Sequence, residues 1–434
     1  MRASALKCGI VMWLALALVA CGGEDDGGGG PAGEQGATEG AKAAPTLEQA
    51  RSAKGDVNFC SGKDTSGGYT DAIERFNKRY AGQRLRAKLV EFPTGSDNQR
   101  AQAIQRLEAK SSGCDVYQAD VIWTAEFASQ KWIMDLTAYV EGRADEFIPS
   151  TLAPLKYDGR YWSVPQVTGS GLIYRRTDQV RTAPETWQEL YALARDGKGF
   201  AYQGAAYEGL TVNFLEVAFA AGGGALSADG SEARFDTPQN REALELMVAG
   251  IEDGGAVKAA PTFMEEEARQ AFEGGDATLM RNWSYAYALG QKVDALKGRL
   301  AVSPLPAFEG GGRAGVLGGN GPILSAFAQN PEGGLLFIDH LTSPATLERN
   351  MARFSLPSTL KATYDRPAVK EAVPYAAQLQ EAIAQAKPRP VSPVYPQISQ
   401  AISQNVNMAL AGEQSPAEAL KRGQDEIAKA LETF

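Results

Sequence analysis

The sequence is poor in the side chains that metal and nucleophile chemistry require. It has a single histidine, His340, in 434 residues, and no Cys-x-x-Cys pair. Together these exclude the common zinc sites. His340 lies in the apolar helical stretch LLFIDHL, where it reads as a structural residue, so a cysteine nucleophile lacks its usual base. There is no basic excess either. The 43 Lys and Arg stand against 52 Asp and Glu, a formal charge of −9, which argues against broad nucleic-acid binding. Beyond residue 20 no segment is apolar enough to span a bilayer, which takes about 20 residues. No internal repeat is apparent. Gly62-Lys63-Asp64-Thr65 lacks the upstream glycine and the hydroxyl residue after the lysine that a phosphate-binding loop needs. Ser170 lacks the leading glycine of a nucleophile elbow, since Thr168 stands there. Neither a metal nor an organic cofactor is expected.

What is present is the composition of a globular chain, 44% hydrophobic and 22% charged. Its length suits two or three domains. Arg2 and Lys7 precede the apolar run Gly9 to Ala20, which is too short for a spanning helix and reads as a secretion signal over residues 1–20. Leu18-Val19-Ala20-Cys21 looks like a bacterial lipobox, so Cys21 is expected to carry the lipid anchor. Residues 21–56 are rich in Gly, Glu and Ala and read as a flexible tether. With Cys8 in the signal and Cys21 lipidated, Cys60 and Cys114 remain as an even pair in an oxidising compartment. A bridge between them is expected, two buried free thiols being the other reading.

The rest alternates strand and helix. Strands are read over 55–60, 85–92 and 116–123, with helices over 69–80 and 97–111 between them. That order implies a parallel sheet with helices on both faces, and ligands in such folds bind beyond the carboxyl ends of strands. Two extended crossovers, YWSVPQVTGSGLIYRR (161–176) and RLAVSPLP (299–306), divide the chain. One lobe is expected over 57–165 plus about 303–345, the other over 166–302 plus about 346–434. A hinge-linked pair of α/β lobes with a ligand cleft between them follows.

Several stretches then carry a resemblance, in order: ADVIWTAEFASQKWIMDL (119–136), VPQVTGSGLIYRR (164–176), PETWQEL (184–190), FMEEEARQAFEGGDATLMRNWSYAY (263–287) and LFIDHLTSP (336–344). From about residue 56 to its end the chain resembles the maltose/trehalose-type solute-binding proteins of bacterial ABC importers. The resemblance implies the two-lobed type II periplasmic-binding-protein fold, a mono- or oligosaccharide captured by hinge closure, delivery to the permease subunits, no catalysis, and a monomer lipid-anchored on the extracytoplasmic face of the cell membrane. In this reading Trp283 is the sugar-stacking ring, with Tyr285 beside it. Lys63, Asp64 and Tyr69 on the first loop, Ser96 and Asp97 on the next, Glu126, Tyr207, Glu208 and Asn320 supply polar contacts. Some have a plainer alternative: turn chemistry for Lys63, Asp64 and Tyr69, a helix-start carboxylate for Glu126, core for Trp283 and a helix surface for Tyr285. Glu265-Glu266-Glu267 reads as a solvated helix start. Relatives often carry an aromatic and an aspartate where this chain has Val167 and Gly169, and Gly-Gly-Trp where it has Gly318-Gly319-Asn320. Those departures point away from trehalose or maltose, toward another sugar or a different polar solute such as a glycerophosphodiester. A secreted glycoside hydrolase, with Asp64 and Glu126 as its carboxylate pair, is the reading from another class.

Overall fold

Side-chain alternation sets the outer strand of the first lobe: Leu85, Ala87 and Phe92 are buried while Arg86, Lys88 and Glu91 are exposed. The computed structural model describes residues 38–433. The expected secretion signal, Cys21 and the first part of the expected tether lie outside the described residues. In chain order the strands are β1 (Gly55–Gly62), β2 (Leu85–Phe92), β3 (Val116–Asp120), the short pair β4 (Lys156–Tyr157) and β5 (Arg160–Tyr161), β6 (Val167–Gly169), β7 (Leu172–Arg176), β8 (Phe200–Ala201), β9 (Leu279–Asn282), β10 (Leu300–Pro304) and β11 (Gly318–Leu324). They form a five-stranded sheet, β2-β1-β3-β11-β6, a four-stranded sheet, β10-β7-β9-β8, and the β4-β5 pair.

The first sheet is mixed rather than parallel. β1, β2 and β3 run parallel because helices Gly68–Arg79 and Ser96–Glu108 return the chain between them. β11 runs antiparallel to both β3 and β6. β6 is the strand by which the chain leaves for the second sheet, and β11 the one by which it comes back. The passage out takes two residues, Ser170 and Gly171, and the return lies between Pro304 and Gly318. Val167–Gly169 therefore stays with the first sheet, and Leu300–Pro304 with the second. Separate cores back the two sheets. Phe59, Phe76, Phe337 and Leu341 centre one. Phe214, Leu215, Ile398 and Ile402 centre the other, where helix Tyr395–Leu410 packs on helix Glu208–Ala220. That second helix is enclosed almost all round, so its polar residues Glu208, Asn213 and Glu216 are buried with it.

Two local expectations are corrected. Residues 121–123 are a 3-10 turn, not strand, because the Asp120 carboxylate accepts the Ile122 N–H at 3.2 Å and starts the turn. The loop expected after it, over Thr124 to Glu126, is instead the start of a short helix, Thr124–Ser129. The last part of the expected tether is also ordered. Lys42 donates to the Ala326 carbonyl at 2.6 Å, Ala43 bridges to Asp135, and Leu47–Ala50 is a helical turn capped by Thr46 and Gln49. Ala50 and Ala53 sit in the first core. Small residues of low apparent hydropathy hold this segment down.

Cys60 on β1 and Cys114 just before β3 are disulfide-bonded, their Cα atoms 5.8 Å apart and both side chains buried. Over a sequence separation of 54, loop closure makes the bridge worth about 4 kcal/mol. The Cys60→Ser/Cys114→Ser variant is expected to lose stability of that order in urea unfolding. An unchanged midpoint would count against the bridge.

His340 is buried, its Nε2 2.9 Å from the Ala72 carbonyl. Burial holds its pKa down at about 4, against an ordinary 6.5. Between those values the unfolded chain takes up a proton that the native one refuses. Stability is therefore full above about pH 6.5 and falls toward pH 4, by about 3 kcal/mol from this residue. His340→Gln is expected to flatten the pH dependence of the urea midpoint in that window. An equal slope in both proteins would remove His340 as its source.

Candidate functional site

The carboxyl end of β3, the start of β11 and the end of β6 face the first turn of helix Glu208–Ala220 and the segment after β9. Between them lies a cavity of about 280 Å³. Asp120 ends β3 and stands opposite Asn320 of β11, which stands opposite Val167 of β6. Glu208 opens its helix across the gap. Arg389 reaches both sides from the loop before helix Tyr395–Leu410. Its Nη1 donates to Glu208 Oε1 at 2.7 Å and its Nη2 to Asp120 Oδ1 at 2.9 Å. Glu208 also accepts from the Tyr395 hydroxyl at 2.8 Å and from Ser399. Burial pushes the Glu208 carboxyl up, and the Arg389 guanidinium pulls against it.

Trp283 forms the aromatic face. It follows β9, where the Asn282 side-chain oxygen accepts the Trp283 N–H at 2.8 Å. Beneath the ring, 4.1 Å from its centroid, lies the Arg281 guanidinium. Arg281 donates to Glu216 through Nε at 2.8 Å and Nη2 at 2.5 Å, and to Gln203 through Nη1 at 2.8 Å. The Gly171 N–H, between the two sheets, donates to the same Glu216 at 3.2 Å. The ring's far edge rests on the first lobe. A Cβ at Gly318 would meet it at 2.7 Å, one at Gly169 at 3.8 Å, and one at Gly171 would strike Glu216. The lack of a side chain at Gly318, Gly169 and Gly171 makes room for this indole and the ion pair behind it.

Gln118 of β3 presents a buried amide to the cavity wall with neither its oxygen nor its nitrogen bonded. An unbonded buried amide is uncommon in native proteins and asks for a partner. Glu265 adds a carboxyl, pushed up by burial and lying near the Tyr207 hydroxyl, which is itself pushed far above its ordinary range by burial and that carboxyl.

The profile of the family described as bacterial extracellular solute-binding protein matches residues 62–348. The chain belongs to this family. A "Probable ABC transporter-binding protein" of Deinococcus radiodurans is 31% identical over 363 residues, 79% of this chain and 86% of that one. An arabinooligosaccharide-binding protein of Bacillus subtilis is 21% identical over 279 residues, 61% of this chain and 63% of that one. Maltose-bound T. maritima MalE3 superposes with a TM-score of 0.81 at 32% identity, covering 86% of this chain and 98% of that one. The two-lobed periplasmic sugar-binding-protein architecture is thereby shown for this solute-binding protein.

Of the residues singled out from its sequence, Ser96, Glu208, Trp283, Tyr285 and Asn320 line the cavity. Asp97 faces an adjoining one. The others do not line the cavity. Asp64 caps helix Gly68–Arg79, accepting from Gly67 N–H at 3.0 Å and Thr70 N–H at 2.8 Å. Lys63 is exposed beside it. Tyr69 packs edge-on against Phe59, 5.3 Å between centroids. Glu126 turns to Arg100, whose Nε donates at 2.8 Å. Tyr207 is buried just behind the wall. The loop after β1 is thus spent on capping its own helix.

Asp120, Gln118, Trp123, Arg389 and Glu265 line the cavity without having been singled out. Glu265, expected in solvent, turns inward. Asp120 sat in a stretch already read as strand, where a carboxylate at the C-terminal end was a usable signal. Arg389 carried none, being brought in by tertiary structure alone. Among the described residues no helix is long and apolar enough to cross a membrane, and no cluster of His, Cys, Asp and Glu could hold a metal.

Proposed function

We propose that the cleft captures an uncharged, polyhydroxylated ligand, a mono- or oligosaccharide, and presents it to the membrane subunits of an ABC importer. The observation that carries this reading is the pairing of the Trp283 face with Asp120, Glu265, Asn320 and the unbonded Gln118 amide around one cavity. Sugars have apolar C–H faces that stack on rings, and hydroxyl edges that need acceptors and amides. The maltose-bound T. maritima protein and the arabinooligosaccharide-binding relative support the same class. Charge disfavours a phosphodiester. Arg389 is the one cation among the described lining residues, and it is already held by two carboxylates. Hydrolysis has no support from Asp64 and Glu126, which are engaged elsewhere, and the family consists of binding proteins.

A thermal-shift screen of the purified protein against neutral sugars, polyols and phosphodiesters tests this. A saturating ligand at 100 times its Kd adds about 2.7 kcal/mol. Stabilisation by phosphodiesters alone would overturn the reading. Anchorage at Cys21, and a monomer, complete the proposal. Cys21→Ser is expected to leave the membrane fraction, and its retention there would refute the anchor.

A further inference from the structure

A second cavity, of about 340 Å³, adjoins the first. Trp123 and Glu208 belong to the walls of both. The first turn of helix Ser96–Glu108 also faces both, with Ser96 and Gln99 toward the Trp283 side and Asp97 and Arg100 toward the other. Residues one position apart on a helix differ by about 100° in direction, so the two spaces lie side by side along a single turn of about 5 Å. The far wall is helix Tyr395–Leu410. Its Gln397, Gln400 and Gln404, spaced three and four apart, share one face. All three are exposed, and none of their amides is hydrogen-bonded within the described protein. The two spaces differ in kind: one has the Trp283 face, the other is mostly polar, with amides and hydroxyls on the far wall and Asp97 and the Glu126-paired Arg100 on the near one.

The first space, at about 280 Å³, falls just below the roughly 300–1,000 Å³ typical of small-molecule sites. The two together fall well inside that range. Resting on the sugar reading above, we propose that the second cavity is an outer subsite of the same cleft, and that the ligand is therefore an oligosaccharide. One unit stacks on Trp283, and the next passes Trp123 and Glu208 to be held by the amide face of helix Tyr395–Leu410. Amides suit that position because each offers a donor and an acceptor to neighbouring hydroxyls without fixing their configuration tightly.

The test is calorimetry on the detergent-solubilised full chain with two chain-length series, gluco-oligosaccharides from glucose to maltotetraose and arabino-oligosaccharides from arabinose to arabinotetraose. Affinity is expected to rise at least about tenfold between the monosaccharide and the trisaccharide of the series that binds. Gln400→Trp, at an exposed helix position, fills the second space. It is expected to abolish that rise while leaving the monosaccharide affinity and the melting temperature unchanged. Equal affinity along the series in the parent protein overturns the subsite, as does an undiminished rise in Gln400→Trp. Absence of binding by every member of both series, with a non-sugar binding instead, overturns the sugar reading and the subsite with it.

Discussion

Arg281→Met is expected to lower stability by about 3–5 kcal/mol, the cost of leaving a buried charge without its partner. The side chains of Arg281 and Glu216 are 1% and 0% exposed, and among the described residues Arg281 is the one cation hydrogen-bonded to Glu216, Arg389 acting on it only at longer range. The loss belongs mostly to the stranded carboxylate rather than to the pair itself. The double variant Arg281→Met/Glu216→Leu is accordingly expected to recover most of it. What stays lost is the share of Gln203 and of the Gly171 N–H, each a bond of about 1 kcal/mol. Urea unfolding of the parent and the two variants separates these contributions. A single variant no worse than the double would mean that Glu216 finds another partner, and the account would fail.

Trp283→Ala is expected to weaken ligand binding by about tenfold to several hundredfold. Stacking contributes roughly 0.5–1.5 kcal/mol beyond the area covered, and that area adds about 25 cal/mol per Å². The ring is only partly buried and carries a guanidinium on one face, the other being free for a ligand. Its removal is therefore expected to cost less stability than the roughly 3–5 kcal/mol of a Trp lost from a closed core. Calorimetry beside denaturant melts decides between the two roles. Unchanged affinity with a large loss of stability would make Trp283 a core residue.

The parts of this protein legible in its sequence are those whose signal is local. The alternation of Leu85–Phe92, the periodic helix between β1 and β2 and the helix Pro331–Leu341 lie within a few residues of where periodicity puts them. Cys60 and Cys114 could be paired because so few cysteines remained. Two kinds of feature escaped. Strands as short as Phe200–Ala201 and Leu279–Asn282 have no room to show a period. Polar residues of the cleft depend on which chain segments meet. Asp120, Glu208 and Arg389 are far apart in sequence and form one cluster only because the lobes face each other. Asp64 shows the reverse error. Its place on a strand-to-helix loop was read correctly, but a carboxylate there satisfies its own helix first. Gly169, read as a missing contact, lies with Gly318 against the Trp283 ring and leaves it room.

The indole of Trp283 hangs from the second lobe and rests its edge on a glycine of the first, with a guanidinium behind it and the cavity in front. Its excited state is therefore exposed to a fixed positive charge on one side and to whatever fills the cleft on the other. Ligand arrival is therefore expected to change intrinsic emission, and the difference between the parent and Trp283→Phe isolates this ring's share from that of Trp123 on the same cavity wall.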